Sequence, residues 1–323
     1  MITNKIVLVL GAGASVPYRF PTGDELVSRI REYAEAPGAI CFRAFSGNEQ
    51  IRTLEAKLLT LAQELKIAQP DSIDEFFEHR PELEQVGKVV LAIILLHDEH
   101  VSEQYLWNNN TKGHWYRLLK AQMVGPFDSL AQQQLKTISF NYDRSLEHYL
   151  FESLQPYYAG KDVADYSEKI NQMPFLHIYG SLGPLPWQST QKYTIPYGPK
   201  DPGTGQIVNA SKNIKIMHEG SEDEVRQNFQ TAQEWLLWAQ NIYFLGFGFH
   251  KDNVSRLCLI DVFHANKRAK ATCLGLSLTN KNRVSWSWQR PSEHGGVESL
   301  PAVEFPDPTA DCYAFLHDHV ILS

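Results

Sequence analysis

The sequence is short of sulfur, of long apolar runs and of positive charge. Its 323 residues include four cysteines, Cys41, Cys258, Cys273 and Cys312. They are widely scattered and form no C-x-x-C pair, so neither a zinc ribbon nor a disulfide framework is indicated. Buried structural thiols are the expectation, and no metal is expected. The longest apolar run, VVLAIILL at 89–96, falls far short of the roughly 20 residues that a bilayer-spanning helix needs. Met1-Ile2-Thr3-Asn4 passes straight into an apolar segment with no charged leader, which predicts a cytoplasmic protein without membrane attachment. Lys and Arg number 30 against 37 Asp and Glu, a formal charge of −7, and no long basic run appears. The electrostatic footprint of a nucleic-acid binder is therefore missing. Internal repeats and low-complexity linkers are also missing. What is present is globular: 43% apolar and 21% charged residues, in a chain long enough to bury a large core.

Residues 5–10, Lys-Ile-Val-Leu-Val-Leu, form an unbroken β-branched and leucine run. Such a run marks a strand buried on both faces of a parallel sheet. Gly11-Ala12-Gly13-Ala14-Ser15 follows at once. Small residues there let the backbone turn tightly and approach a phosphate, with the N–H groups of the next helix aimed at it. The third glycine of a G-x-G-x-x-G fingerprint is missing, because Val16 and Pro17 follow Ser15, so a plain strand–helix turn is the competing reading. A first helix is expected at 24–33, then mostly helical pattern from about 48 to 120. Leu54, Leu58, Leu61 and Leu65 recur at helical spacing, and 73–96 continues in the same vein. Ser72, with Glu75 three residues on, is a helix-start signal. Later strand candidates are 135–140, 175–179, 214–217, 242–245 and 271–276, with helices at 145–153, 222–240 and 252–267. The alternation predicts an α/β fold, a Rossmann-like parallel sheet with helices on both faces and a helical insertion after the first strand. One domain is expected over 1–323, with the insertion at about 40–130. The Pro- and Gly-rich stretch 183–205 reads as a long loop of the functional or mobile kind.

In an open parallel sheet, ligands bind beyond the carboxyl ends of the strands. Four such ends carry unusual residues: Gly11 to Ser15; Asn141-Tyr142-Asp143; His177-Ile178-Tyr179-Gly180-Ser181; and Gly246-Phe247-Gly248-Phe249-His250, with Asp252 and Asn253 beyond. Each has a bland reading. Asn141 and Asp143 suit a turn and a helix cap, His177 a satisfied core histidine, Gly246 and Gly248 close helix–strand packing. Four on one rim favour a pocket.

These segments also carry a family resemblance. Gly11 to Ser15 with Pro21-Thr22-Gly23-Asp24-Glu25-Leu26, Ser72-Ile73-Asp74-Glu75-Phe76, Phe140-Asn141-Tyr142-Asp143, Tyr179-Gly180-Ser181 and Leu245-Gly246-Phe247-Gly248-Phe249 resemble the sirtuin-like family. More narrowly, they resemble its NAD-hydrolysing branch in prokaryotic antiviral defence systems. The likeness runs over about residues 5–276. It implies a Rossmann-like domain with a helical insertion, NAD as substrate, and no zinc ribbon of the deacetylase kind. The family histidine before Gly-Ser is replaced here by Tyr179, and the histidine stands two residues earlier, at His177. On a strand, residues two apart share a side, so His177 is expected to reach the same pocket.

The reaction implied is cleavage of the nicotinamide–ribose bond, with an oxocarbenium-like transition state and a cationic leaving group. The expected roles follow. Asn141, the counterpart of the family's catalytic asparagine, holds a ribose hydroxyl or the attacking water. His177 acts as base, assisted by Tyr179. Gly11, Ala12, Gly13, Ala14 and Ser15 take the pyrophosphate on backbone N–H groups. Asp143, Gly180, Ser181, Gly246 and Gly248 complete the nucleotide site, Asp143 as a brace. Asp74 leans in from the helical cap or is a solvated first-turn carboxylate. Expected partners are NAD or ADP-ribose and further copies of the chain or a regulatory protein, because unrestrained NAD cleavage would kill the cell. A sensor of NAD or ADP-ribose without catalysis, and an ADP-ribosyltransferase, are the alternatives.

Overall fold

The computed structural model describes residues 1–45, 51–70, 72–189, 193–216, 222–262, 268–278, 281, 289–291, 297–299 and 303–322. The apolar run at the start forms β1 (Ile6–Leu10), buried at every residue. It lies at the centre of an all-parallel sheet with β2 (Leu135–Ser139), β3 (Phe175–His177), β4 (Asn241–Leu245) and β5 (Arg268–Ala271), in the order β3-β2-β1-β4-β5. The fold is therefore α/β and Rossmann-like, as the alternation predicts. The sheet grows outward from β1 on both sides, so the β1/β4 boundary is the point where the strand order reverses. Register aligns the rims: Leu10 stands beside both Ser139 and Leu245, and Ser139 beside His177. The residues that follow β1, β2 and β4 thus emerge side by side.

The connection from β1 to β2 is helical: α1 (Gly23–Glu35), α2 (Ala39–Ala44), α3 (Ile51–Ala68), α4 (Ile73–His79), α5 (Pro81–Leu106) and α6 (Tyr116–Met123). Leu54, Leu58, Leu61 and Leu65 are all buried, as their spacing requires. Residue 48 lies outside the described residues. The pattern at 73–96 is not one helix. Arg80 leaves helical geometry ahead of Pro81, which opens α5 at the position where its missing N–H costs nothing. Ser72 caps α4, its Oγ accepting the Glu75 N–H at 3.1 Å.

Helices α7 (Ser145–Leu154) and α8 (Val163–Asn171) join β2 to β3. Helices α9 (Thr204–Asn213) and α10 (Glu222–Trp238) lead to β4, and α11 (Lys251–Arg256) and α12 (Leu259–Val262) follow it. A last helix, α13, spans Cys312–His319. Four expectations need correction. The third strand stops at His177, and Ile178 and Tyr179 already turn. Residue Ile214 makes only an isolated bridge to Gly180, and Met217 lies outside the described residues. The last strand of the parallel sheet is Arg268–Ala271, ahead of the expected 271–276; two further short strands, Gln289–Pro291 and Val297–Ser299, pair antiparallel with each other. The helix expected at 252–267 breaks at Cys258, which has φ of 47°; residues 263–267 lie outside the described ones. Cys41, Cys273 and Cys312 are buried thiols, whereas Cys258 is exposed. Among the described residues no helix is long and apolar enough to cross a membrane.

The Pro- and Gly-rich stretch is strapped down by a buried ion pair. Arg144, at the start of α7, donates Nε and Nη2 to the two oxygens of Glu99 on α5, at 2.9 and 2.6 Å. Its Nη1 donates to the carbonyls of Gly183 and Ile195 at 3.0 and 2.8 Å. Both side chains are essentially inaccessible. His148 adds a stacked ring under Tyr197, 4.1 Å between centroids.

Candidate active site at the strand ends

Beyond the ends of β1, β4 and β5 lies a cleft of about 620 Å³, within the usual range for small-molecule sites. The turn after β1 supplies Ala12 and Gly13, the turn after β4 supplies Gly246, Gly248, His250 and Asn253, and Tyr179 closes one side. A smaller cavity of about 100 Å³ adjoins it, reaching Ser15, Asn141, Tyr142 and Asp143. Five residues line both: Ala12, Thr22, Gly23, Ser72 and Asp74.

The glycine turn does not run straight into a helix. It curls into two short 3₁₀ turns, Ala12–Ala14 and Val16–Tyr18, and α1 starts only at Gly23. The curl engages its own donors. Gly11 N–H donates to the Leu245 carbonyl, Gly13 to Gly246, Ala14 to Gly11 and Ser15 to Ala12. Among the described residues only the Ala12 N–H of this turn keeps no partner. The glycines answer to each other more than to a ligand. A Cβ on Gly246, whose φ is 56°, would sit 2.1 Å from the Ala14 nitrogen. One on Gly13 would sit 2.8 Å from the Gly246 Cα. Gly248 differs, because a Cβ there meets nothing within 4 Å.

Asn141 sits at the floor of the smaller cavity. Its Nδ2 donates to the Gly11 carbonyl at 3.0 Å and to Ser15 Oγ at 3.1 Å. Its Oδ1 accepts no hydrogen bond among the described residues and remains open as an acceptor. Ser15 Oγ donates onward to Asp143 Oδ2 at 2.8 Å, and the other Asp143 oxygen takes the Ser145 N–H and hydroxyl. Burial pushes the Asp143 carboxyl above the usual carboxylate range, against the pull of these bonds. Asp143 is thus a brace between the first turn and the cap of α7.

His177 does not reach this space. It lines neither cavity, and the alternation argument fails because the strand ends at His177 itself. Its Nδ1 faces the Asn141 carbonyl at 2.8 Å and its Nε2 faces Glu147 Oε1 at 2.5 Å. Burial alone would lower its pKa, but the Glu147 charge and the two acceptors outweigh it and hold the ring above its ordinary value. With both nitrogens directed at acceptors, the ring has no lone pair to offer a substrate. Gly11, Ala14, Gly180 and Ser181 also stay off the cavity walls: Ala14 is buried with its carbonyl on Trp115 Nε1, and Ser181 Oγ accepts the Gly183 N–H.

Tyr179 does line the cleft. Its hydroxyl donates to Asn253 Oδ1 at 2.6 Å and accepts from Arg256 Nη1 at 3.2 Å; Arg256 in turn donates to Glu78 at 2.9 Å. Burial raises the Tyr179 pKa, so the phenol stays protonated. Beside it, the Tyr142 hydroxyl donates to Asp74 Oδ1. Asp74 is therefore no solvated first-turn carboxylate. The motif at 72–76 drew attention to it, and its neighbour Tyr142 sits in the Asn141 segment. Glu78 and Arg256 come from α4 and α11 with no local signature. Together Asp24, Asp74, Glu75, Glu78 and Asp252 outnumber Lys251 and Arg256 on the cleft wall, which makes it anionic.

A comparison with models of known protein families gives no match, and neither does a comparison with curated protein sequences.

Proposed function

We propose that the chain is an NAD glycohydrolase, cleaving the N-glycosidic bond of NAD to release nicotinamide and ADP-ribose. One observation carries the reading: at the strand-order reversal, a dinucleotide-sized cleft runs into a small, mainly apolar cavity where the Asn141 amide presents a free acceptor oxygen. Asn141 Oδ1 accepts from a ribose hydroxyl or from the attacking water, its orientation fixed by Gly11 and Ser15. The anionic wall favours the cationic nicotinamide ring. The diphosphate takes its donors from Ala12, from the N–H groups that open α1 at Gly23 and Asp24, and from Lys251. His177 acts by positioning, since its ring holds the Asn141 carbonyl in place. The resemblance to the defence branch extends the proposal to an effector that depletes NAD, restrained by self-assembly or a regulatory partner.

The test is incubation with NAD followed by product chromatography. Free nicotinamide with free ADP-ribose supports the hydrolase. Nicotinamide with a modified acceptor indicates a transferase. Binding without nicotinamide indicates a sensor, the reading favoured by His177 lying outside the cleft and by tyrosine standing at the family's histidine position.

A further inference from the structure

We infer that Asp74 is the catalytic carboxylate of this cleft, the group that takes the proton of the attacking water. The inference rests on the NAD-cleaving reading. It begins from elimination. His177 directs both ring nitrogens at internal acceptors. Asp143 takes its bonds on both oxygens. The Tyr142 and Tyr179 phenols are held protonated by burial and donate. Glu78 is paired with Arg256. Asp74 differs in geometry: Oδ1 accepts the Tyr142 hydroxyl, and among the described residues no other side chain and no backbone but its own N–H bonds the carboxyl. Of the five residues that line both cavities, it alone ionises. A water in the smaller cavity, which has room for one, and a ribose in the larger therefore meet at this carboxyl.

The balance of the step is simple. The water oxygen bonds to C1′ of the nicotinamide ribose as the bond from C1′ to the ring nitrogen breaks. That electron pair stays on the nitrogen, so the cationic ring leaves as neutral nicotinamide. The water proton passes to Asp74 and then to solvent. Burial raises the Asp74 pKa to about 6; the Tyr142 hydrogen bond and Arg256 pull it down, and Glu78 pushes it up. A base with that pKa is ionised at neutral pH yet near its operating point. The other charged or titratable groups around it are Glu75 on the same helix, Tyr179 after β3, Asp24 on α1, and Glu84 on α5 behind Tyr142.

The experiment is the pH profile of nicotinamide release by the full chain with NAD, run beside NAD binding and melting temperature for each variant. Asp74→Asn should lower the rate about 10²–10⁴-fold while NAD still binds, and Asp74→Glu should restore part of it. Wild-type activity should fall below about pH 6. Tyr142→Phe should move that acid limb to higher pH and Glu78→Gln to lower pH, opposite shifts that a structural role would not produce. An Asp74→Asn rate within threefold of wild type, or a limb that neither neighbour moves, overturns the assignment and leaves NAD cleavage standing. So does a limb that His250→Ala removes, His250 being the histidine on the cleft wall. A wild type that releases no nicotinamide at any pH overturns the inference and the reading together.

Discussion

His177 and Asp74 tilt the stability of the fold the same way with pH. The His177 ring binds its proton more tightly in the folded chain than in the unfolded one. Its contribution is complete below the unfolded value of about 6.5 and is lost as pH rises through the higher folded value. His177→Ala leaves the Glu147 carboxylate buried without its partner, so it should cost about 3 kcal/mol or more near pH 6. The deficit should shrink in alkaline solution, as wild type loses the pair; chemical denaturation at pH 6 and pH 9 checks both points. Asp74 is a carboxyl whose pKa rises from 3.8 to about 6. The folded state favours its protonated form, so stability falls as pH climbs from about 4 to about 6 and then levels off. Asp74→Asn should therefore melt higher than wild type at pH 8, by on the order of 2–3 kcal/mol, and the gap should close near pH 4. An Asn variant less stable than wild type at pH 8 would mean that the carboxylate is anchored rather than strained by its site.

At the scale of elements, two contacts decide the shape around the cleft. The first is the hold of Arg144 and Glu99 on Gly183 and on Ile195, Pro196 and Gly198. Glu99→Gln keeps the shape but leaves the buried guanidinium without a counter-charge, and should cost about 3–5 kcal/mol, with faster proteolysis in the segment so held. The second is the contact of the β1 and β4 turns through Gly13 and Gly246. Gly246→Ala forces a Cβ into backbone at a positive φ and should prevent folding or cost several kcal/mol. Gly248→Ala should leave stability within about 0.5 kcal/mol of wild type and weaken NAD binding, because its Cβ enters the open cleft. Thermal melting with and without NAD separates the two. Strand β1 is legible in the sequence because nothing polar interrupts it, and β4 because only its first residue, Asn241, is polar; β2 shows through Leu135 and Ile138 despite Lys136 and Thr137. The α4/α5 break was written in Arg80-Pro81 but hidden by a continuous apolar period. Helices α8 and α9 leave little signal in the sequence because they are short and rich in polar residues. Arg144 stands just ahead of the helix expected at 145–153, and no local pattern reveals that its partner is 45 residues away.

At the scale of the whole molecule, the strand order places the functional rim before any side chain is considered. The order β3-β2-β1-β4-β5 and the flush register bring together the ends after Leu10, Ser139 and Leu245. Alternation predicts the parallel sheet, and the structure supplies its order and register. Of the residues expected at the site, Ala12, Gly13, Ser15, Asn141, Asp143, Tyr179, Gly246 and Gly248 do line the cavities. The rest of the wall comes mainly from the helical insertion, from α11 and from Thr272 and Leu274–Leu276 after β5, which approach the rim only in three dimensions; spacing along the chain carries no trace of that. The composition of the glycine turn allows a phosphate cradle, whereas the Gly11 and Gly13 N–H groups bond to Leu245 and Gly246, those of Ala14 and Ser15 close the 3₁₀ curl, and among the described residues only that of Ala12 is left for a ligand. The most direct measurement is chromatography of NAD incubated with wild type and with Asn141→Ala, both first shown to be folded by their melting curves. Nicotinamide and ADP-ribose in equal amounts from wild type, with a loss of at least about 10²-fold in the variant, is the predicted result. Equal release by both proteins, or intact NAD throughout, would contradict it.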